Sequence, residues 1–384
     1  MKIYVTGIGC ISGIGLNVTE NITSLREGKH GMGKVTLFPT ALDVPVSEVK
    51  LANEKSLSRT ALLGIHAATE ALKDCGITKL SSRVGLISST SVGGMDLSEN
   101  FYIPFRNNPN EGRLRDVISH DCGDSTEQIA RHLGLTGFRT TVSTACSSAA
   151  NAIMLGARLI KAGYLDTVIA GGTDSLCRFT LNGFNSLMIL DKEHCRPFDH
   201  SRAGLNLGEG AGYVVLQAEH SLNRDPYCEL TGYANVNEAY HQTGSSPDGD
   251  GPYSSMLRAI QCSGIDAHQI NYINVHGTGT PSNDRSEGVA LKRLFGENVP
   301  PFSSVKSFIG HTLGASEGIE AVYSVLSVYN GYMYPNLNFA TPAEETMLVP
   351  VTQFSEGNKI KHVLSNSFGF GGSNSSLLFS KASL

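Results

Sequence analysis

The stretch from Arg139 to Gly163, RTTVSTACSSAANAIMLGARLIKAG, sets the terms for the fold. Thr140 to Thr144 alternates β-branched and polar residues, which predicts a short strand. From Ser147 the composition turns to alanine and aliphatic side chains, with Ala149, Ala150, Ile153, Met154, Ala157, Leu159 and Ile160. That pattern predicts a mostly apolar helix, and such a helix runs through a core rather than along a surface. Cys146 stands at the junction. A cysteine at a strand-to-helix turn faces the first-turn N–H groups and the positive end of the macrodipole, and both favour the nucleophilic thiolate. Ala145, Ser147 and Ser148 are small enough to let a carbonyl approach it. The commoner fate of a cysteine is to pack as a small hydrophobe, so its partners decide what it does.

Around this segment, strands alternate with helices. Ile3 to Thr6 predicts a strand, and Ser58 to Cys75 an amphipathic helix with Leu62, Leu63, Ala67 and Leu72 inward. Val84 to Thr90, Leu165 to Ala170, Tyr213 to Gln217, Leu230 to Ala234, Ile270 to Val275, Phe302 to Lys306 and Val363 to Ser367 read as further strands. Asp124 to Leu133, Tyr253 to Gly264, Asp284 to Phe295 and Glu317 to Tyr329 read as helices. The alternation implies mostly parallel sheets covered by helices, an α/β class. VGLISSTSVGG (84–94) echoes VLSNSFGFGG (363–372), which points to two duplicated halves, 1–228 and 229–384. Residues 96–120 carry Pro104, Asn107, Asn108, Pro109 and Asn110 and read as a polar loop or lid.

Composition narrows the function. Of the 384 residues, 40% are hydrophobic and 17% charged, as in a soluble globular chain, and the net charge of −5 argues against nucleic acid as a partner. No run of about 18 apolar residues spans a membrane. MKIYVTGIGCISGIG starts directly with a strand and lacks a signal-peptide core. The eight cysteines, at 10, 75, 122, 146, 177, 195, 228 and 262, form no CxxC pair. A disulfide framework or zinc cluster is therefore not expected, and a cytoplasmic location is. Gly7, Gly9, Gly13 and Gly15 approach a dinucleotide fingerprint with the wrong spacing and no acidic residue about 20 positions on. A tight strand–helix turn is expected there instead.

Two histidines share the position of Cys146 just past a strand end, where reacting groups gather in α/β sheets. His276 lies between Val275 and the flexible GTGT, and His311 follows Lys306 by five residues. One such histidine commonly caps a turn. Two of them, both in glycine-rich turns, with a poised cysteine elsewhere, point to a thiol active site.

TACSSA, NVHGTGTPSND, SVKSFIGHTLGA and NSFGFGGSN, in this order, resemble the elongating β-ketoacyl-acyl-carrier-protein synthases. These are decarboxylating condensing enzymes of the thiolase-like superfamily, and the likeness runs over nearly the whole chain. It implies a duplicated, five-layered αβαβα sandwich, usually a homodimer. It implies Cys146 as the acyl-accepting nucleophile, with His276 and His311 as paired donors to the enolate left when malonyl thioester loses CO2. Lys306 is expected to supply a fixed charge and to hold the network that sets the tautomer of His311. The amides of Cys146 and Phe370 would form the oxyanion hole, with Phe370 also the gate to the acyl pocket. Thr278 and Thr280 match the pantetheine-binding hydroxyls, and Glu320 and Asp284 match supporting carboxylates. Acyl carrier protein is the implied partner, delivering substrates on its phosphopantetheine. No cofactor or metal is implied. Lys55 and Arg59 fall where relatives meet the acidic carrier.

Two departures bear on partners and chain length. The segment before RPFD is the short LMILDKEHC (187–195), and residues 96–120 do not align readily with relatives. Some short relatives in aryl-polyene and aromatic polyketide pathways act as heterodimers with a chain-length-factor subunit that lacks the cysteine. A chain that keeps Cys146 would be the catalytic member of such a pair. A non-catalytic scaffold subunit and a thiolase using acyl-CoA are the other readings weighed; the intact cysteine opposes the first, and the two histidines oppose the second.

Overall fold

The computed structural model describes residues 1–54 and 57–383. Ten strands carry the architecture: β1 (Ile3–Ser12), β2 (Val84–Ser89), β3 (Arg139–Val142), β4 (Thr167–Asp174), β5 (Gly210–Ala218), β6 (Cys228–Asn237), β7 (Tyr272–Asn274), β8 (Phe302–Ser303), β9 (His362–Gly369) and β10 (Ser373–Ser380). Their order across the sheet is β3-β2-β4-β5-β1, then β6-β10-β9-β7-β8. Counted outward from where β1 meets β6, the two halves have the same sequence of strands. In each half the outer two pairings are parallel and the inner two antiparallel. The halves join through a short pairing of Tyr4 and Val5 with Glu229 and Cys228. The echo between 84–94 and 363–372 is thus the echo of β2 and β9, although these occupy different places in their halves.

Helices fill three layers. Helix α1 (Arg59–Asp74) packs on one face of β1 and β5, and the opposite face of β5 receives α8 (Ser316–Asn330). Between the two come α2 (Met95–Asn107), α3 (Cys122–Leu133), α4 (Ser148–Lys161), α5 (Arg178–Ser186), α6 (Asp250–Ser263) and α7 (Pro281–Phe295). Helices α4 and α8 touch strands of both halves and form the central layer, which explains their apolar composition. Helices α1 and α3 cover one outer face, and α6 and α7 the other, giving αβαβα. Every residue of α8 from Ser316 to Val328 is buried.

Three sequence expectations are corrected here. The ten-stranded sheet is mixed rather than mostly parallel, with four parallel and five antiparallel pairings. The strand–helix turn does follow β1, at Gly13 and Gly15 before the helix Val18–Arg26, but Gly7 and Gly9 are not part of it; both lie inside β1, where a Cβ would come within 2.3 Å of Ala71 O and 2.2 Å of Ala67 O on α1. Their role is to let sheet and helix approach. Residues 96–120 are not a plain loop but contain α2 and a short turn of helix at Arg115–Ile118. The Asn-Pro-Asn cluster that suggested a loop only ends α2. Pro104 is accommodated inside it, and Tyr102, Ile103 and Phe105 remain exposed.

Candidate active site

Cys146 sits on a strained elbow. Ala145 just before it has φ +54°, a left-handed conformation that costs a non-glycine residue ~1–2 kcal/mol. The serines of TACSSA hold it there: Thr144 N–H donates to Ser148 Oγ (2.8 Å), and Ser148 Oγ donates to Ala145 O (2.5 Å). From the other half of the chain, Ser367 Oγ on β9 donates to the Cys146 carbonyl (2.9 Å). The elbow therefore depends on both halves.

His311 comes from the turn between Lys306–Ile309 and α8. Its Nδ1 accepts from the Leu313 amide and lies against the Ser316 hydroxyl, each at 3.0 Å. A main-chain donor aimed at Nδ1 leaves no place for a proton there, so the ring proton is on Nε2. Nε2 stands 3.1 Å from Cys146 Sγ. His276 follows β7, and its turn is fixed from behind. The amides of His276 and Gly277 donate to the two oxygens of Glu287 on α7, 2.9 Å each, and Ser304 Oγ donates to Gly277 O. The two imidazoles meet edge-on, centroids 5.4 Å apart. Sγ and the nearest nitrogens of both rings all lie within 4.8 Å of one another.

Charge states follow from burial. Desolvation, with Lys306 nearby, holds both histidines well below the ordinary 6.5, so they are neutral N–H donors. Lys306 Nζ pairs with Glu320 Oε1 at 2.5 Å, both fully buried. The lysine does not set the tautomer of His311, as the resemblance implied; the Leu313 amide does. Burial pushes Glu287 up to about 7 even though it accepts two amides. Burial also pushes the Cys146 thiol up to about 11, against the amide of Phe370, Lys306 and its own amide. In the resting site burial therefore works against the helix-tip thiolate expected from sequence. Taking sulfur out of water costs more than these groups return. Cys/His/His is also a zinc-ligand set, but a proton on Nε2 makes His311 a donor towards the sulfur, not a ligand.

The remaining predicted residues surround this centre. Thr278 and Thr280 line the cleft leading to Cys146, their hydroxyls 2.9 Å apart. Asp284 lies behind them and accepts from Gly279 N (3.2 Å) and Phe198 N (2.8 Å), tying that loop to the RPFD segment. Phe370 lines the same cleft and stacks on Phe184 of α5, centroids 5.8 Å apart. Phe184, Glu287 and the Leu313 amide escaped the sequence reading. Phe184 has no periodic signal, Glu287 looks like any helical glutamate, and a backbone donor has no sequence signature.

Of the two basic residues expected to face a carrier, Lys55 lies outside the described residues. Arg59 is corrected: it is 4% exposed and grips Glu209 (Nε–Oε2 2.8 Å, Nη2–Oε1 2.6 Å) while donating to Val49 O, Leu51 O and Asn53. Glu209 sits just before β5 in the core, and a buried carboxylate there draws the nearest cation inward.

Family profiles for β-ketoacyl synthase match this chain over residues 1–221 (N-terminal domain) and 227–340 (C-terminal domain). The 3-oxoacyl-[acyl-carrier-protein] synthase 2 of Staphylococcus aureus is 31% identical over 99% of this chain and 98% of its own. Among solved structures, the ishigamide ketosynthase/chain length factor superposes with TM-score 0.95 at 28% identity, covering 100% of this chain and 99% of that one. A ketosynthase in complex with its chain length factor from Xenorhabdus doucetiae gives TM-score 0.87 at 30% identity, covering 99% and 98%. Among the described residues no helix is long and apolar enough to cross a membrane.

Proposed function

The chain belongs to the β-ketoacyl synthase family, and from that premise we propose that it condenses an acyl chain held on Cys146 with malonyl-acyl carrier protein, as a cytoplasmic 3-oxoacyl-acyl-carrier-protein synthase. The observation that carries this reading is the convergence of one sulfur and two neutral imidazoles, with the His311 proton on the nitrogen facing the sulfur.

In the first step Cys146 sulfur attacks the carrier-bound thioester. The carbonyl oxygen takes the charge in a hole formed by the amides of Cys146 and Phe370. The thiol proton leaves with the pantetheine sulfur. In the second step malonyl thioester enters past Thr278 and Thr280, its C–COO⁻ bond breaks, CO2 departs, and the enolate oxygen is held by the N–H groups of His276 and His311. Donors of this kind are worth about 2.7–4 kcal/mol each, so the pair supplies ~5–8 kcal/mol. Burial, with Lys306 nearby, keeps both rings neutral, and each ring then has one N–H to donate. The enolate carbon then attacks the Cys146 thioester, and the sulfur leaves and takes up a proton from solvent, the one proton that the loss of CO2 requires. No cofactor takes part; phosphopantetheine carries both substrates.

The working unit is a dimer. Among the described residues the outermost strand β3 leaves its sheet edge without a neighbour, and the apolar residues Tyr102, Ile103 and Phe105 of α2 are exposed. The likeness to ketosynthase/chain-length-factor structures supports a second reading, in which this chain is the catalytic member of a heterodimer. Incubation with acyl- and malonyl-carrier protein, alone and with such a partner, should give 3-oxoacyl product and CO2. Its absence under both conditions sinks the proposal. Cys146→Ala should abolish acylation with the fold intact. His311→Ala should still acylate while decarboxylation falls by about 10²–10³.

A further inference from the structure

Asp174, the last residue of β4, belongs to no role described so far, yet it is fully buried and its carboxylate meets only donors. Ser91 N–H (3.0 Å) and Val92 N–H (3.1 Å) reach Oδ1, which the Thr90 hydroxyl also meets, and Ser91 Oγ (2.7 Å) reaches Oδ2. The last donor is the amide of Gly314, 2.6 Å from Oδ2. On its other side, Gly314 offers its carbonyl to Ser89 Oγ (3.1 Å). A Cβ on Gly314 would lie 2.8 Å from Asp174 Oδ2, so the peptide is seated against β2 and β4 with no slack.

The residue before Gly314 is Leu313, which has φ +54°, a conformation a leucine keeps only where its surroundings hold it. The amide on one side of Leu313 points at His311 Nδ1, and the amide on the other side points at Asp174. Leu313 is thus held between two anchored amides.

We infer that Asp174 is a positioning residue for His311: by anchoring the Gly314 amide it keeps the Leu313 amide on Nδ1, and so keeps the ring proton on Nε2, facing the sulfur. The inference rests on the donor role proposed for His311 and extends it to a residue from the other half of the chain. Asparagine at 174 keeps the shape but puts an NH2 among five donors, where one oxygen can no longer serve both sets.

The test is 15N NMR of histidine-labelled protein, which separates the Nε2–H from the Nδ1–H form, in the unsubstituted protein and in Asp174→Asn. The unsubstituted protein should show His311 as Nε2–H. Asp174→Asn should show loss of that single tautomer, and decarboxylation should fall by about 10- to 100-fold, less than loss of a whole donor, with acylation of Cys146 largely kept. A merely structural aspartate would lower thermal stability and leave the tautomer alone, and that result overturns the inference. A second measurement needs no variant. Native-state hydrogen exchange should find the Leu313 and Gly314 amides protected together, and a fast Gly314 amide beside a protected Leu313 amide overturns it as well. An Nδ1–H ring in the unsubstituted protein would instead refute the donor role of His311 itself, so the two failures are distinguishable.

Discussion

Alkylation of Cys146 as a function of pH tests the electrostatics of the site most directly. A thiol held near 11 rather than near the ordinary 9 has its neutral form favoured by an extra ~3 kcal/mol. At pH 7 that leaves about one sulfur in 10⁴ ionised, against ~3% for a free cysteine of pKa near 8.5. The opposing terms are visible: burial raises the value, while the Phe370 amide, Lys306 and the Cys146 amide lower it without prevailing. The assay is the second-order rate of iodoacetamide labelling, followed by intact mass and by mapping of the Cys146 peptide, from about pH 6 to 9.5. The rate at Cys146 should climb about tenfold per pH unit with no plateau over that range. Lys306→Met, which removes one of the lowering terms, should slow it further at every pH. A plateau at or below about pH 8 would refute the reasoning, because it would mean that the helix terminus and the His311 N–H outweigh desolvation. Such a plateau would restore the ionised sulfur that the sequence alone suggested.

Three further outcomes follow from the structure. Arg59→Ala strands the Glu209 carboxylate in the core and should cost ~3–5 kcal/mol in denaturant unfolding, while the KM for carrier protein stays unchanged in the folded fraction. Gly212→Ala places a Cβ 2.3 Å from the Gly318 carbonyl carbon between β5 and α8, so its unfolding free energy should drop by ~1–3 kcal/mol or more. His276 and His311 have folded-state pKa values below their unfolded ones. Their contribution is therefore complete above the unfolded value of about 6.5 and is lost as pH falls, by up to ~1.4 kcal/mol per pH unit for each ring. Glu287, raised to about 7, works in the opposite direction as pH rises from its ordinary value to that one. Urea midpoints of the parent and of His276→Ala/His311→Ala should thus converge as pH falls below 6.5, and parallel curves would refute the buried neutral rings.

Local chemistry wrote much of this protein into its sequence. Cys146 and His276 each follow a strand end, His311 follows the short helix Lys306–Ile309 instead of the strand expected there, and strand ends, glycine turns and apolar periodicity are properties of neighbouring residues. The two apolar helices α4 and α8 were legible as core helices for the same reason: a helix with no polar face has nowhere else to go. What escaped depends on groups far apart in the chain. Arg59 looked like a surface cation until Glu209, 150 residues away, drew it inside. Cys146 looked like a thiolate because the helix terminus is local, whereas the burial that opposes it is contributed by the whole fold. The tautomer of His311 is set by the direction of the Leu313 N–H, which the packing of its turn fixes, and no side-chain alphabet records the direction of an amide. Sequence determined which chemical groups this protein brings to its site; the tertiary structure decided their charge and the position of their protons, because desolvation and hydrogen-bond direction exist only once distant segments have packed together.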